Sequence, residues 1–277
     1  MPRPRKRFAQ HWLRSDKILD RIVAAAELSE GDRVLEIGPG TGVLTRKLLP
    51  WVHSLVSVEL DRDLCRKLVK KLGEIENFLL LEGDFLELNL PDILANAPEI
   101  FHQPNKVVAN IPYNITGPIL EKLLGTIAVP NPTPYESIVL LLQKEVADRL
   151  CAKPGSRTFG ALSVRVQYLA TCELVCPVPA KAFYPPPKVE SAVVRLFPRE
   201  IEIPADNPKM LDRLVREGFS SKRKMLRNNL KGSFDRDRIS EMLDALSINP
   251  QARAEDLGVA EWVKFSNTLT QATITSN

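Results

Sequence analysis

Cysteine and histidine are scarce in this chain. Its 277 residues include only seven of them: Cys65, Cys151, Cys172, Cys176, His11, His53 and His102. None has the spacing of a metal-binding motif. Cys172 and Cys176 lie in an apolar stretch, which predicts reduced core thiols. We therefore expect neither a disulfide framework nor a metal centre.

Long apolar runs are also missing. The basic N-terminus is not followed by the apolar core of a signal peptide, and no run approaches membrane-spanning length. With 44% hydrophobic and 26% charged residues, the composition is typical of a globular protein long enough for two domains. The sequence thus predicts a cytoplasmic protein that does not associate with a membrane.

Acidic residues are absent from two basic segments, although the net charge of the whole chain is only +4. These segments are residues 1–14 and 219–232, with the cations Arg3, Arg5, Lys6, Arg7, Arg14, Lys222, Arg223, Lys224, Arg227 and Lys231. A surface that only contacts water could carry charges of both signs. The negatively charged phosphates of a nucleic acid, in contrast, attract only cations. The segments therefore favour contact with a nucleic acid.

Apolar runs alternate with helical patterns through the first 200 residues, which predicts an α/β fold with a parallel sheet. The predicted strands are Arg33–Gly38, Leu55–Leu60, Phe78–Leu81, Lys106–Ala109 and Ser137–Gln143, with a late hairpin-like pair, Leu174–Val178 and Ala192–Phe197. After a Pro-rich linker only helices are predicted, around Met210–Phe219, Lys222–Lys231, Ile239–Leu246 and Trp262–Leu269. Two domains follow, residues 1–200 and an all-α domain at 205–277.

A glycine-rich loop, E-I-G-P-G-T-G at residues 36–42, follows the first predicted strand. A dinucleotide fingerprint needs a third glycine at position 43, which is valine. The spacing instead suits S-adenosylmethionine, which has no pyrophosphate to bind. Glu59 ends the second strand, where a carboxylate can bind ribose hydroxyls, and Asp84 follows the third, where one can accept from an adenine amine. The three strand ends together predict a nucleotide-type site.

The tetrapeptide Asn110-Ile-Pro-Tyr113 follows the fourth predicted strand. The Asn side-chain oxygen and a backbone carbonyl can accept both hydrogens of an aromatic amine, while the Tyr ring stacks on the heterocycle. Such an amine is a poor nucleophile because its lone pair is delocalised into the ring. Two acceptors favour a more pyramidal nitrogen as charge develops during attack. The motif therefore predicts activation of an amino group on a heterocyclic base.

Several ordered blocks resemble the rRNA adenine N6-dimethyltransferase family. They are R-F-A-Q-H-W-L at 7–13, the glycine loop, Glu59, G-D at 83–84, N-I-P-Y at 110–113, F-Y-P-P-P-K-V-E-S at 183–191 and K-R-K-M-L-R-N-N-L at 222–230. The resemblance covers nearly the whole chain and is greatest to the bacterial small-subunit enzymes. The first block departs from the family, which usually has Gly at Ala9 and often Asn at His11 and Phe at Trp12.

The resemblance implies a Rossmann-like class I methyltransferase domain that uses S-adenosyl-L-methionine as methyl donor, with a small C-terminal helical domain. The implied cofactor site consists of His11, Leu13, Gly38, Glu59, Asp84 and Asn110. Asn110 would hold the target amine, and Tyr113 and Phe183 would sandwich the flipped adenine. Since the sulfonium is already an activated electrophile, this chemistry needs no metal.

The implied substrate is small-subunit rRNA within a pre-ribosomal particle. Two adjacent adenosines near its 3′ end would become N6,N6-dimethyladenosine, and the enzyme is expected to be a monomer. In a helix over Lys222–Lys231, the cations Arg223, Lys224, Arg227 and Lys231 would share one face for RNA contact. Three alternatives remain: a large-subunit rRNA adenosine methyltransferase, a non-catalytic assembly or transcription factor, and a DNA adenine methyltransferase.

Overall fold

The computed structural model describes residues 10–274 and divides into two compact units. The first unit comprises residues up to Leu123, Pro132–Ala147 and Cys172–Pro198. The second comprises Leu124–Asn131, Asp148–Thr171 and the chain from Arg199 onward. The second unit therefore also takes segments from before residue 200. The division of function between residues 1–200 and 205–277 stays a prediction.

Within residues 10–274 the strands and helices alternate as far as residue 143. The strands are β1 (Trp12–Leu13), β2 (Arg33–Ile37), β3 (Ser54–Glu59), β4 (Phe78–Glu82), β5 (Lys106–Asn110), β6 (Ser137–Gln143), β7 (Ala170–Val178), β8 (Phe183–Tyr184) and β9 (Ser191–Pro198). The helices are α1 (Asp16–Ala26), α2 (Val43–Leu48), α3 (Arg62–Leu72), α4 (Leu90–Ala95), α5 (Thr116–Leu124), α6 (Lys144–Leu150), α7 (Ala161–Leu169), α8 (Pro208–Gly218), α9 (Leu226–Leu230), α10 (Arg236–Ala245) and α11 (Val259–Ile274).

A seven-stranded sheet, in the order β4-β3-β2-β5-β6-β9-β7, forms the centre of the first unit. Strands β2 to β6 pair in parallel, and β9 runs antiparallel to β6. All six residues of β3 are buried, as expected for a strand covered on both faces. The chain proceeds from β2 to one side and then returns to β5 on its other side. The carboxyl end of β2 is therefore the position where such sheets bind ligands.

The predicted α/β fold and its five parallel strands are confirmed. The structure also contains several short elements that the sequence did not predict. The ribbon of β1 and β8 pairs only Trp12 with Tyr184 and Leu13 with Phe183, too few residues for a period-2 pattern. Helix α5 was not predicted because Gly117 and Pro118 interrupt its helical pattern. Both lie in its first turn, where proline is tolerated.

The predicted helix Lys222–Lys231 is wrong in its first half. Helical structure covers only Leu226–Leu230. Met225 instead forms an isolated β-bridge with Arg253, and Leu226 N donates to Ala252 O at 2.8 Å. Because these backbone groups are used elsewhere, the preceding residues form a turn.

The second unit has a core of its own among α8 to α11. Its fully buried side chains include Leu211, Leu214, Leu226, Leu230, Ile239, Leu243, Trp262 and Phe265. A Cβ at Gly218 would lie 2.5 Å from Trp262 Cη2, so the indole can pack here only against glycine.

No helix within residues 10–274 is both long enough and apolar enough to cross a membrane. In the same part of the chain, no group of three or more His, Cys, Asp or Glu side chains could hold a metal ion. Cys65 and Cys176 are buried, and Cys151 and Cys172 are partly exposed.

Candidate active site

A cavity of about 350 Å³ lies at the carboxyl ends of β2 to β5, within the first unit. This volume is in the range of small-molecule sites, roughly 300–1,000 Å³. Eight of the residues singled out from the sequence line it: His11, Leu13, Glu36, Gly38, Glu59, Asp84, Asn110 and Tyr113. Residues far apart in the sequence therefore meet at one edge of the sheet.

The glycine loop presents bare backbone to this cavity. Gly38, Gly40 and Gly42 have φ values of 69°, 60° and 77°, which L side chains rarely adopt. A Cβ at Gly42 would lie 2.8 Å from Leu68 Cδ2 on α3. Glycine is therefore required both by the turn and by its packing.

Glu59 fixes the glycine loop from the end of β3. Its Oε2 accepts from Gly40 N at 3.0 Å, and its Oε1 accepts from Asp61 N at 2.8 Å. Burial raises the pKa of this carboxyl, while the backbone donors oppose the shift. Glu59 thus positions the loop, and its predicted contact with ribose stays a prediction.

Glu36 is a buried acid with two hydroxyl partners that the sequence did not reveal. Its Oε2 accepts from Thr45 Oγ1 at 2.8 Å and from Ser57 Oγ at 2.7 Å. Burial raises the pKa of the carboxyl to about 7, despite these hydrogen bonds.

Glu36→Gln is expected to raise the free energy of unfolding, relative to the wild type, more at pH 8 than at pH 5. The folded pKa of about 7 exceeds the ordinary value of 4.5. The carboxyl therefore contributes stability at low pH that is lost as pH rises from 4.5 to 7, in total on the order of 3 kcal/mol. Denaturant unfolding of both proteins at the two pH values measures this. A difference between them that does not change with pH would contradict the prediction.

Lys122 on α5 holds the loop that follows β4. Its Nζ donates to the carbonyl oxygens of Phe85, Leu86 and Leu88 at 2.5, 3.2 and 2.6 Å. These bonds use all three donors of the ammonium group. Desolvation lowers the pKa of Lys122, although the nearby Asp84 charge opposes this. The lysine therefore fixes the backbone next to Asp84, the predicted acceptor for adenine.

Lys122→Met is expected to weaken binding of S-adenosylmethionine, the ligand predicted from the sequence, by about tenfold, the equivalent of one hydrogen bond of roughly 1.5 kcal/mol to a charged group. Binding of 5′-methylthioadenosine should weaken equally if the loop serves the adenine end. Titration calorimetry measures both, with Lys67→Met, at an exposed position of α3, as control. Unchanged affinity in Lys122→Met would show that the loop keeps its shape without the lysine.

Asn110, Tyr113 and His11 form a connected group on one wall. Asn110 Nδ2 donates to the His11 carbonyl at 3.5 Å, and the His11 and Tyr113 rings are stacked with centroids 6.1 Å apart. Tyr113 Oη bonds to Ser191 Oγ, and His11 Nδ1 donates to Pro185 O at 2.7 Å. Burial raises the pKa of the Tyr113 hydroxyl. The first motif, the N-I-P-Y motif and the proline-rich segment therefore meet here.

Phe183 does not face this cavity. Its side chain is 4% exposed, packs in the core beside Leu13, and is not among the lining residues. The sequence predicted a ring directed at the base, and the structure directs it at the core instead. A stacking role for Phe183 stays a prediction that requires the ring to leave this core position.

Sequence reasoning assigned no role to several apolar residues of the cavity wall, among them Leu60, Phe85 and Ile111. Each directly follows a polar residue chosen from its strand end: Glu59, Asp84 or Asn110. Position alone could have identified them, because the residue after each of these polar residues belongs to the loop at the same edge of the sheet.

The first motif block is only partly within the described residues. Arg3, Arg5, Lys6, Arg7, Phe8 and Ala9 lie outside residues 10–274. Of the remainder, Gln10 Nε2 donates to Asp61 Oδ2 at 3.1 Å. Trp12 is buried beside Gly40, where a Cβ would lie 3.5 Å from Trp12 Cδ1.

The candidate RNA-binding cations of the second unit do not share one helical face. Arg223 and Lys224 are exposed in the turn before α9, and Lys231 is exposed after it. Arg227 is partly buried, with its Nη1 donating to Ser240 Oγ at 3.3 Å. The predicted set of four is therefore three exposed cations and one that packs against α10.

The chain is similar to known proteins along nearly its whole length. A family model described as ribosomal RNA adenine dimethylase matches residues 1–271. The ribosomal RNA small subunit methyltransferase A of Trichormus variabilis is 68% identical, covering 97% of this chain and 99% of that protein. A dimethyladenosine transferase from Plasmodium falciparum is structurally similar at a TM-score of 0.79 and 28% identity, covering 95% and 98% of the two chains. The 23S rRNA methyltransferase ErmE is similar at a TM-score of 0.72 and 29% sequence identity, covering 94% of this chain and 100% of that protein.

Proposed function

The chain belongs to the ribosomal RNA adenine dimethylase family, and from this premise we propose its substrate and its methyl donor. It transfers methyl groups from S-adenosyl-L-methionine to N6 of two adjacent adenosines near the 3′ end of small-subunit rRNA. The observation that carries the proposal is that Glu59, Asp84, Asn110 and Tyr113 line the same cavity. The family prediction itself is confirmed.

The cavity fits S-adenosylmethionine by the chemistry of its donors and acceptors. Gly38 and Gly40 line the cavity with backbone at positive φ, so at these two positions no side chain stands between the loop and a ligand. Among the described residues only Leu86 N bonds to the Asp84 carboxylate, at Oδ1, which leaves Oδ2 to a ligand amine. We assign His11, Leu13, Gly38, Glu59, Asp84 and Asn110 to this ligand. When bound, it supplies a methyl group on an activated sulfonium.

Asn110 and Tyr113 act on the adenine. The Asn110 Oδ1 and a backbone carbonyl of the motif accept the two N6 hydrogens, and Tyr113 stacks on the base. Holding the amine in line with the methyl group supplies most of the acceleration. The methylated nitrogen then becomes acidic and releases its proton, so no base is needed before attack. A second cycle gives the dimethylated product.

Sequence similarity favours small-subunit rRNA over large-subunit rRNA as the substrate. The chain is 68% identical to a protein named for the small subunit and 29% identical to a 23S enzyme. The test is methyl transfer to undermethylated small and large subunits, with mass spectrometry of both rRNAs. Dimethyladenosine in large-subunit rRNA alone would overturn the assignment.

We also propose that the enzyme acts as a cytoplasmic monomer on a pre-ribosomal particle.

The double change Arg223→Glu and Lys224→Glu is expected to weaken binding to small subunits and to flatten its salt dependence. Each lost phosphate contact should reduce the slope of log K against log salt by about 0.7–0.9. The matched control is Lys67→Glu with Lys71→Glu, exposed positions on α3 that change the net charge equally. Equal salt slopes for the two double variants would show that the 222–231 segment is exposed to solvent and does not contact RNA.

A further inference from the structure

The ribbon of β1 and β8 directs Phe183 and Tyr184 to opposite faces. Neighbouring residues of a strand point in opposite directions, and directly paired residues share a face. Leu13 pairs with Phe183, and both side chains are in the core of the first unit. Trp12 pairs with Tyr184 on the other face. Tyr184 is 44% exposed there, so it is the aromatic ring that this segment offers to a ligand.

Arg14 lies against the Tyr184 ring. Its guanidinium carbon is 4.0 Å from the ring centroid, the geometry of a cation–π stack. Arg14 N donates to Ala182 O at 2.8 Å, which extends the ribbon pairing and fixes the two side chains relative to each other.

This pair lies at the border of the candidate active site. Arg14 lines a second cavity that shares Trp12, Thr41 and Val43 with the first. The charged residues of the second cavity are Arg14, Arg46, Lys47 and Asp16. Lys47 lies 2.7 Å from the Asp20 carboxylate and 3.8 Å from that of Asp16, so the three cations of this cavity outnumber the two acids beside an exposed ring.

We propose that Arg14 and Tyr184 bind a nucleotide next to the target adenosine, an inference that rests on the proposed function. The Tyr184 face opposite the guanidinium stacks on the base, and Arg14 contacts a phosphate of the same strand. Aromatic stacking accepts any base, so this site adds affinity and register without selecting sequence. The first unit then contacts the RNA at a second nucleotide in addition to the flipped adenine.

Three variants test the site on undermethylated small ribosomal subunits: Tyr184→Leu, Tyr184→Phe and Arg14→Gln. Tyr184→Leu should raise KM for the subunit by about 5- to 150-fold, the equivalent of one lost base stack, while Tyr184→Phe stays near the wild type. Arg14→Gln should reduce the salt slope of binding by about 0.7. Lys181→Gln, an exposed cation of the same segment that lines neither cavity, should leave the slope unchanged.

The affinity for S-adenosylmethionine, measured by calorimetry, should be unchanged in every variant. A Tyr184→Leu protein with wild-type KM, or equal losses in Tyr184→Leu and Tyr184→Phe, would overturn this inference alone. Failure of the wild-type protein to methylate the subunits would overturn the proposed function and the inference together. The two failures are therefore distinguishable in one assay.

Discussion

Asn110→Ala is expected to lower kcat for methyl transfer by about 100- to 1,000-fold, the cost of removing one group aimed at developing charge. Asn110 ends β5 and lines the cavity. Its Nδ2 is directed at the His11 carbonyl, 3.5 Å away, which leaves Oδ1 to accept from the N6 amine. Alanine removes this acceptor, so the amine lone pair stays delocalised into the ring.

Single-turnover kinetics with saturating S-adenosylmethionine measures the effect on chemistry. The affinity for S-adenosylmethionine should fall far less than kcat, because the glycine loop, Glu59 and Asp84 remain. Asn96→Ala is the matched control, since it removes an exposed amide at the end of α4. An Asn110→Ala enzyme with near-normal kcat would refute the role of this side chain in activating the amine.

The main sheet was predictable because its central strands, β2, β3, β5 and β6, are buried on both faces. The apolar runs ending at Glu59 and Asn110 identify a parallel sheet, and the order of strand ends then brings the acids to one edge. The two-residue strands β1 and β8 gave no such signal. Their pairing depends on contacts across about 170 residues, between Leu13 and Phe183, which local patterns do not encode.

Side-chain direction was the less predictable part of the site. The motif identifies Phe183, but only the ribbon register shows that its ring faces the core and that of Tyr184 faces out. Helical periodicity likewise placed Arg227 on a cationic face, whereas the bridge from Met225 to Arg253 shortens the helix. In both cases pairing with a distant segment overrides the local pattern. Residue type predicted the chemistry, and tertiary contacts decide which side chains can take part.

Glu59→Ala is expected to weaken S-adenosylmethionine binding by about 100-fold or more. The carboxylate accepts from Gly40 N and Asp61 N, and two hydrogen bonds to a charged group correspond to roughly 3–6 kcal/mol. Without them the glycine loop is left with weaker side-chain support, such as Arg46 Nη1 donating to Thr41 O at 3.3 Å, and any contact of the carboxylate with ribose is lost as well. Calorimetric titration measures the affinity, and circular dichroism checks that the variant is folded.

Glu82→Ala provides a closely matched control for this effect. Glu82 ends β4 directly opposite Glu59 in the strand register, but it is exposed, pairs with Arg62 at 2.9 Å and does not line the cavity. Its removal should leave the affinity unchanged, because an exposed ion pair contributes at most about 1 kcal/mol. If both alanine variants weaken binding equally, the loss of affinity comes from removing any carboxylate at this edge of the sheet. If only Glu59→Ala does, the effect belongs to the carboxylate that fixes the glycine loop.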